Sequence, residues 1–389
     1  MSAVYVSALY DLQTIEKNPQ RRSASWYIDR IQLLLEQKNV PIIIYTDEHL
    51  EAALQKKCAG RENIQIKVIP FANLKYVDKL PIMTQNQQRH PYRTDNPAKD
   101  TQEYRVIMWN KFEFMADAAQ CYPDAQKLIW IDLGIEYVAC KYEAHIDLAE
   151  IATYFDDQHF CCTIINPLNT EEYENVVLCC SAWRYRQVGG FWSIGRVIFN
   201  EFLTAIRQEI TTVLEAGCVC MDEEIMARFS YRHSHLCRFS FGDYQSCIVN
   251  WRGLRYDIHI AKPAISKAHL YSLHHMAATG WQQLLQAGAL GYWNMSSAEM
   301  YDYLLNWYMA MHYIDPVEAT VIARFVIFCA ARNDFFQNML FHDAATMFRY
   351  VNLHDLSEIT VTSEILTEHT AFDLLYTYLS RLSEKAKDK

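Results

Sequence analysis

Between Ala3 and Phe71 the chain alternates short apolar runs with stretches of helical period, and few folds accept that pattern. "AVYVSALYDL" is rich in Val and Tyr and has the composition of a strand. "SASWYIDRIQLLLEQ" follows, with Trp26, Ile28, Ile31, Leu34 and Leu35 at helical spacing. The apolar run "IIIYTD" ends in an acid, "EHLEAALQKKC" has the pattern of a short helix, and "IQIKVIPF" that of a third strand. Strand, helix, strand, helix, strand predicts an α/β fold, a mostly parallel sheet with helices on both faces.

Farther along, residues 81–103 are polar, carry three prolines and hold Arg89 and Arg93; they are expected to form a long surface loop. "YRVIMWNKFEFMADAAQCY" resumes as a helix and delivers the chain to "AQKLIWIDLGI", an apolar strand closed by Asp132. "QHFCCTIINP" and "VVLCCSAWRYRQ" are expected as two further strands. "FNEFLTAIRQEITTVLEAG" is expected as an amphipathic helix stopped by Gly217. "HLCRFSF" and "CIVNW" should close the sheet. From about His269 the periodicity is helical, as in "AEMYDYLLNWYMAMHYI", "PVEATVIARFVIFCAARN" and "EILTEHTAFDLLYTYLSRL". The expected division is a sheet domain over residues 1–265 and an α-helical appendage over 266–389.

Composition narrows the function. A formal charge of −10 argues against nucleic acid as the main partner, since phosphate backbones need a basic surface. No window holds the roughly 20 apolar residues of a membrane span. The start, "MSAVYVSALYDL", lacks the basic leader of a signal peptide. Twelve cysteines include the adjacent pairs Cys161–Cys162 and Cys179–Cys180 and the close pair Cys218 and Cys220, with no regular disulfide spacing. Reduced thiols in a cytoplasmic protein are the expectation. No GxGxxG after a strand, no GxxxxGK[ST] and no GxSxG occurs, which removes the main support for dinucleotide, P-loop and serine hydrolase chemistry.

Asp132 leads the candidate residues. An acid at the tip of a central strand lies where open α/β sheets bind ligands, and a hard carboxylate there suits magnesium or manganese on a diphosphate. Its bland alternative is a turn cap on a nearby backbone N–H. In "QVGGFWSIG", Gly189 and Gly190 allow close backbone approach, while Phe191 and Trp192 offer flat faces to a sugar or base. Asp222, Glu223 and Glu224 fall in the first turn of a helix, where the macrodipole alone accounts for acids; a carboxylate that takes a proton from an acceptor hydroxyl is the functional alternative. Cys218, Cys220, His233, His235 and Cys237 match no standard zinc spacing. His259 and Lys262 lie beyond the sheet; a histidine there can complete a metal shell and a lysine can meet a diphosphate, while the bland reading of His259 is a surface histidine.

In order, these segments resemble the HtrL/YibB (WlaTC-type) family of bacterial glycosyltransferases. "VYVSALYDL" resembles its opening strand, "IIIYTD" follows, and the likeness strengthens over "DTQEYRVIMWNKFEFMADAAQCYPDAQKLIWIDLGI". There Tyr104, Lys111 and the W-I-D-x-G step are similar to a lysine-bearing helix leading into an acid-ended strand. "GGFWSIG" and "DEEI" stand where that family has a glycine-rich turn and an acidic pair. The resemblance covers about residues 3–250. It implies a GT-A-like sheet that binds a nucleotide sugar such as a UDP- or GDP-hexose. Asp132 would meet the Mn2+ or Mg2+ and the donor diphosphate, with Asp222, Glu223 or His259 to complete the metal shell. The chain departs from a full DxD, having Trp130 and Gly134 on either side of that acid. Lys111 would meet a donor phosphate, Gly189 and Gly190 the sugar, and Tyr10 and Asp11 the base or ribose. Asp222 or Glu223 would contact the acceptor hydroxyl of a glycan, lipid or protein.

A second class competes: a degenerate, non-catalytic transferase sheet that acts as an interaction module through the aromatic-rich helices of its C-terminal third.

Overall fold

A computed structural model describes residues 3–94, 96–139, 146–181, 183–251, 258–289 and 295–319, together with 322, 323 and 326. The chain forms two compact units, Met1–Arg252 and Gly253–Lys389.

The first unit is built on seven strands: β1 (Ala3–Leu9), β2 (Ile42–Thr46), β3 (Ile64–Val68), β4 (Lys127–Ile131), β5 (Phe160–Ile164), β6 (Phe191–Gly195) and β7 (Cys237–Phe241). Their order is β3-β2-β1-β4-β6-β5-β7. The β3, β2, β1 and β4 neighbours are all parallel, as the opening alternation predicts. Strand β6 runs antiparallel to both β4 and β5, and β7 is parallel to β5, so the sheet is mixed and mostly parallel. Strands β2, β4 and β5 are near-continuous apolar runs because both faces of a parallel sheet are covered. From β1 the chain winds outward to β2 and β3, then returns to place β4 on the other side of β1. The carboxyl ends of β1 and β4 therefore flank the crevice where open α/β sheets bind ligands.

Helix Gln102–Cys121 sets the depth of that crevice. Thr101 caps it, and Val106, Trp109, Phe112, Phe114, Met115 and Ala118 are all buried. Buried positions run right around this helix, so its polar residues Arg105, Asn110 and Lys111 are buried as well.

Several expectations are corrected. Residues 81–103 are not one long loop: Leu80–Arg89 is a helix with Pro81 in its first turn, where a missing N–H costs nothing, and Pro97–Lys99 is a 3-10 turn. "VVLCCSAWRYRQ" is not a strand. Asn175 caps the short helix Val176–Cys179, and the described residues after it up to Gln187 join the sheet only through one bridge from Gln187 to Ile164. "CIVNW" contributes only the 3-10 turn Val249–Trp251. "SASWYIDRIQLLLEQ" forms two short helices, Ala24–Ile28 and Gln32–Glu36. Phe191 and Trp192 are strand residues with no exposed surface, so they offer no face to a ligand. Gly195 ends β6 beneath the backbone of Asp157, where a Cβ would come within 2.2 Å of the Asp157 carbonyl.

In the second unit, helices Ile258–Leu270, His274–Ala289 and Ser297–His312 are described. The boundary expected at 265/266 falls inside the first of them. Tyr301, Tyr303, Trp307 and Tyr308 are buried. The last expected helix, "EILTEHTAFDLLYTYLSRL", lies outside the described residues. No helix among the described residues is long and apolar enough to cross a membrane.

Candidate functional site

Asp132 directly follows β4, and strand alternation puts its side chain on the same face as Trp130. Its backbone N–H donates to the Gly190 carbonyl at 2.9 Å, an extension of the β4–β6 pairing. The carboxylate does not cap the turn. Its Oδ1 accepts from the Trp130 indole at 2.7 Å and faces the Lys111 ammonium at 3.3 Å. The side chain keeps 43% of its surface exposed, and Lys111 keeps 2%.

Lys111 reaches this point from the buried face of its helix. Its Nζ donates to Asp222 Oδ2 at 2.8 Å and to the Gly189 carbonyl at 3.0 Å. Two carboxylates and a carbonyl thus surround a single ammonium, which is how a buried charge is tolerated. Burial works against the Lys111 charge, but Asp132 and Asp222 outweigh it and raise its pKa above that of a free lysine. For Asp222 burial is the larger influence and moves the carboxyl upward against the pull of Lys111.

Glycines allow these groups to converge. A Cβ at Gly189 would lie 2.9 Å from Asp222 Oδ2 and 3.1 Å from Glu223 Cγ; one at Gly190 would lie 3.1 Å from Asp132 Oδ2. With any side chain at 189, the acids or the strand would have to shift, and the Lys111 contact with it.

Asp222 opens helix Asp222–Arg232, whose first turn holds all three acids in buried positions. Macrodipole stabilisation alone would leave such acids in water, so the tertiary placement goes beyond the local account. The Trp183 indole donates to Glu223 Oε2. Burial, then Asp222 and Glu224, push the Glu223 carboxyl well up. Glu224 points elsewhere: its Oε2 accepts from the Tyr92 hydroxyl at 2.8 Å and the Met221 N–H at 3.2 Å.

Glu224 makes a testable prediction about pH. Burial, followed by Cys179, raises its carboxyl to about 8 in the folded protein, against 4.5 ordinarily. The folded chain therefore holds a proton that the unfolded chain releases, and stability falls as pH rises from about 4.5 to about 8. Replacing Glu224 with Gln is expected to flatten that decline. Urea midpoints at pH 5, 6.5 and 8 check it; parallel profiles for the two proteins would remove the assignment.

Tyr10, Lys111, Asp132, Gly189, Gly190, Asp222 and Glu223 line one cavity of about 490 Å³ in the first unit, beside the ends of β1 and β4. Tyr10 is nevertheless mostly core: its hydroxyl donates to the Ile69 carbonyl at 2.9 Å and its ring stacks on Phe114. Asp11 is absent from the lining. It caps the following turn, accepting from the Gln13 N–H at 3.0 Å and the Thr14 hydroxyl at 2.8 Å, with His49 3.5 Å away. His259 belongs to the second unit, in helix Ile258–Leu270, and its side chain is outside the described residues.

The aromatic wall and the mouth were not foreseen. Trp26, Tyr27 and Tyr137 line one side, and Trp183 and Tyr185 line another with ring centroids 3.8 Å apart. Tyr185 holds a left-handed backbone, φ 48°, uncommon for a residue with a side chain. The cations at the cavity besides Lys111 are Arg22, 4.6 Å above the Trp26 ring, and Lys99, 4.7 Å from the Trp183 ring. "RRSASWY" and "SAWRY" carry cation and aromatic together, but nothing local shows that they meet across more than 150 residues.

Among the described residues, no three His, Cys, Asp or Glu side chains converge to hold a metal ion. Those residues hold no ready-made cage, and a looser mode suits them. Magnesium commonly binds through one or two carboxylates plus substrate phosphates. The half-exposed Asp132 fits that single-carboxylate role, with Lys111 neutralising the acid behind it.

No protein-family model matches the chain, and no curated protein matches it. Among solved structures it is similar to mouse xyloside xylosyltransferase 1 in its apo form, at 11% identity and a TM-score of 0.35, over 62% of this chain and 85% of that one. It is also similar to a glycosyltransferase involved in the glycosylation of the major capsid of PBCV-1, at 10% identity and a TM-score of 0.31, over 62% and 82%. Likeness at that level carries no conclusion about chemistry, which rests on the site itself.

Proposed function

We propose that this chain is a GT-A-like glycosyltransferase of the HtrL/YibB type, which moves a hexose from a nucleotide diphosphate sugar to a hydroxyl of a glycan, lipid or protein. The observation that carries the reading is Lys111 held between Asp132 and Asp222 beneath a cavity at the sheet's switch point. In this reading residues 1–265 bind the donor and the α-helical remainder is an appendage.

Each group has a physical task. Asp132 presents its carboxylate to the cavity and is the residue that would hold Mn2+ or Mg2+ as it arrives with the diphosphate. Such an ion, when bound, neutralises charge on the departing nucleotide diphosphate. Lys111 keeps two acids close without mutual repulsion and offsets part of the site's negative charge. Asp222 and Glu223 are the candidates to meet the acceptor hydroxyl; a carboxyl pushed upward by burial is the stronger proton acceptor once ionised. The aromatic walls suit the flat faces of a base or sugar. Positioning both reactants is the largest remaining contribution.

The interaction-module alternative drew on the lone Asp132 and on the aromatic C-terminal helices; of the latter, Tyr301, Tyr303, Trp307 and Tyr308 are buried in packing. Titration calorimetry with UDP and GDP, each with and without Mn2+, tests the proposal. Saturable binding of one nucleotide that strengthens with Mn2+ is expected. If neither nucleotide binds under either condition, the transferase reading fails.

A further inference from the structure

The stretch "WRYR", residues 183–186, sends its side chains two ways. Arg184 and Arg186 both pair with one buried carboxylate, Glu172, the first at 2.6 Å; Arg186 also donates to the Pro167 carbonyl at 3.0 Å. Trp183 and Tyr185, the alternate residues, line the cavity. The Trp183 backbone N–H donates to the Arg93 carbonyl at 3.2 Å, and its indole donates to Glu223. With an arginine anchored on either side, Tyr185 keeps its left-handed backbone, a conformation that persists only where the surroundings enforce it. Its ring stays 38% exposed and touches that of Trp183, so the enforced turn presents one apolar platform at the mouth.

We propose that the acceptor is a saccharide whose ring stacks on the Trp183–Tyr185 pair while Glu223 reaches its hydroxyl. The reaction is taken from the transferase reading; the choice among glycan, lipid and protein comes from the geometry. The indole bond puts the pair directly beside Glu223, one of the two acids proposed to meet the acceptor. Trp26, Tyr27 and Tyr137 lie on another side, near the end of β4, where a Cβ at Gly134 would come 3.2 Å from the Tyr27 ring. That group is left for the base of the donor. A sugar offers C–H groups to an aromatic face and hydroxyls at its edge, and the rim adds Asn96 and Lys99 as donors for those hydroxyls.

A lipid tail would need aliphatic surface at the mouth. Among the described residues, the large hydrophobic side chains left exposed at the cavity are Tyr137 and Tyr185, and both rings end in a hydroxyl. An extended peptide commonly docks by adding to a sheet edge; the edges here are β3 and β7, whereas the cavity lies at β1 and β4. In the transfer the acceptor oxygen bonds the anomeric carbon of the donor, and the bond from that carbon to the diphosphate oxygen breaks. The diphosphate leaves with the electron pair, and the hydroxyl proton passes to Glu223. The aromatic pair makes and breaks no bond; it orients the acceptor.

Tyr185→Gly is the decisive variant, because glycine adopts the left-handed backbone freely and the ring is lost without loss of the fold. Tyr185→Phe keeps the ring, and thermal melts check that both variants are folded. Saturation-transfer NMR on the full chain uses the methyl glycosides of glucose, N-acetylglucosamine, fucose and glucuronic acid, alone and with saturating UDP or GDP. At least one glycoside is expected to bind saturably to wild type and Tyr185→Phe, and about tenfold more weakly to Tyr185→Gly, the scale of one lost ring contact. Absence of binding by every glycoside overturns the proposal, and so does equal binding by Tyr185→Gly. Displacement by UDP or GDP overturns it too, since the pair would then hold the base. Octyl glucoside below its micelle concentration, if bound about tenfold tighter than methyl glucoside, would mark a lipid acceptor and overturn it as well. Nucleotide binding without glycoside binding sinks this proposal alone. Glycoside binding at Tyr185 without nucleotide binding leaves the saccharide site standing and sinks the transferase reading.

Discussion

Lys111→Met is expected to lower the unfolding free energy by about 3–5 kcal/mol, the usual range when one member of a buried ion pair is deleted. Methionine fills similar space and keeps helix propensity, so the loss isolates the charge. Without the ammonium, Asp222 is a buried acid with no ionic partner and Asp132 an acid close beside it. The Gly189 carbonyl loses its donor as well. Part of the loss should return when Asp222→Asn is added, because that change removes the orphaned charge. Urea unfolding of the two single variants and the double one gives the coupling directly. A Lys111→Met protein within about 0.5 kcal/mol of wild type would match an ordinary surface change. The ion triad would then be no part of the folded state.

Asp132→Asn is expected to cut nucleotide-sugar turnover by about 10²–10³-fold, the order seen when one well-placed electrostatic group is removed from an active site. The melting temperature should move little. Asp132 is half-exposed, Asn keeps its shape and still accepts from the Trp130 indole, and Lys111 retains Asp222. That separation distinguishes the two variants: one removes the group that holds the site together, the other the group that faces the cavity. Mass spectrometry of donor hydrolysis across a panel of nucleotide sugars, with thermal melts alongside, measures both quantities. A folded Asn variant with undiminished turnover would withdraw Asp132 from the mechanism.

The local pattern was a good guide to some elements and a poor one to others. Strands β1 to β4 and helix Gln102–Cys121 follow from apolar period, because that period is read within each segment. Leu80–Arg89 was missed because Pro81 looks like a breaker, although the first turn of a helix is where proline fits. "VVLCC" looked like a strand by composition, yet Asn175 accepts from the Leu178 N–H at 3.1 Å and starts a helix there. Phe191 and Trp192 looked like ligand faces because they follow two glycines; pairing with β4 and β5 instead buries both.

Sequence alone determined the alternation of strand and helix that makes a mostly parallel sheet, and the acid at the tip of β4, since apolar period and a run-ending carboxylate are local properties. Only the tertiary structure decided what that acid meets. Lys111 has the spacing of an ordinary helix residue, and it becomes an ion-pair partner because its helix is covered on every side. Asp222 looks like a first-turn acid and is instead buried against that lysine, 111 positions away. The same holds for the aromatic walls, whose meeting depends on long-range packing that no local periodicity encodes.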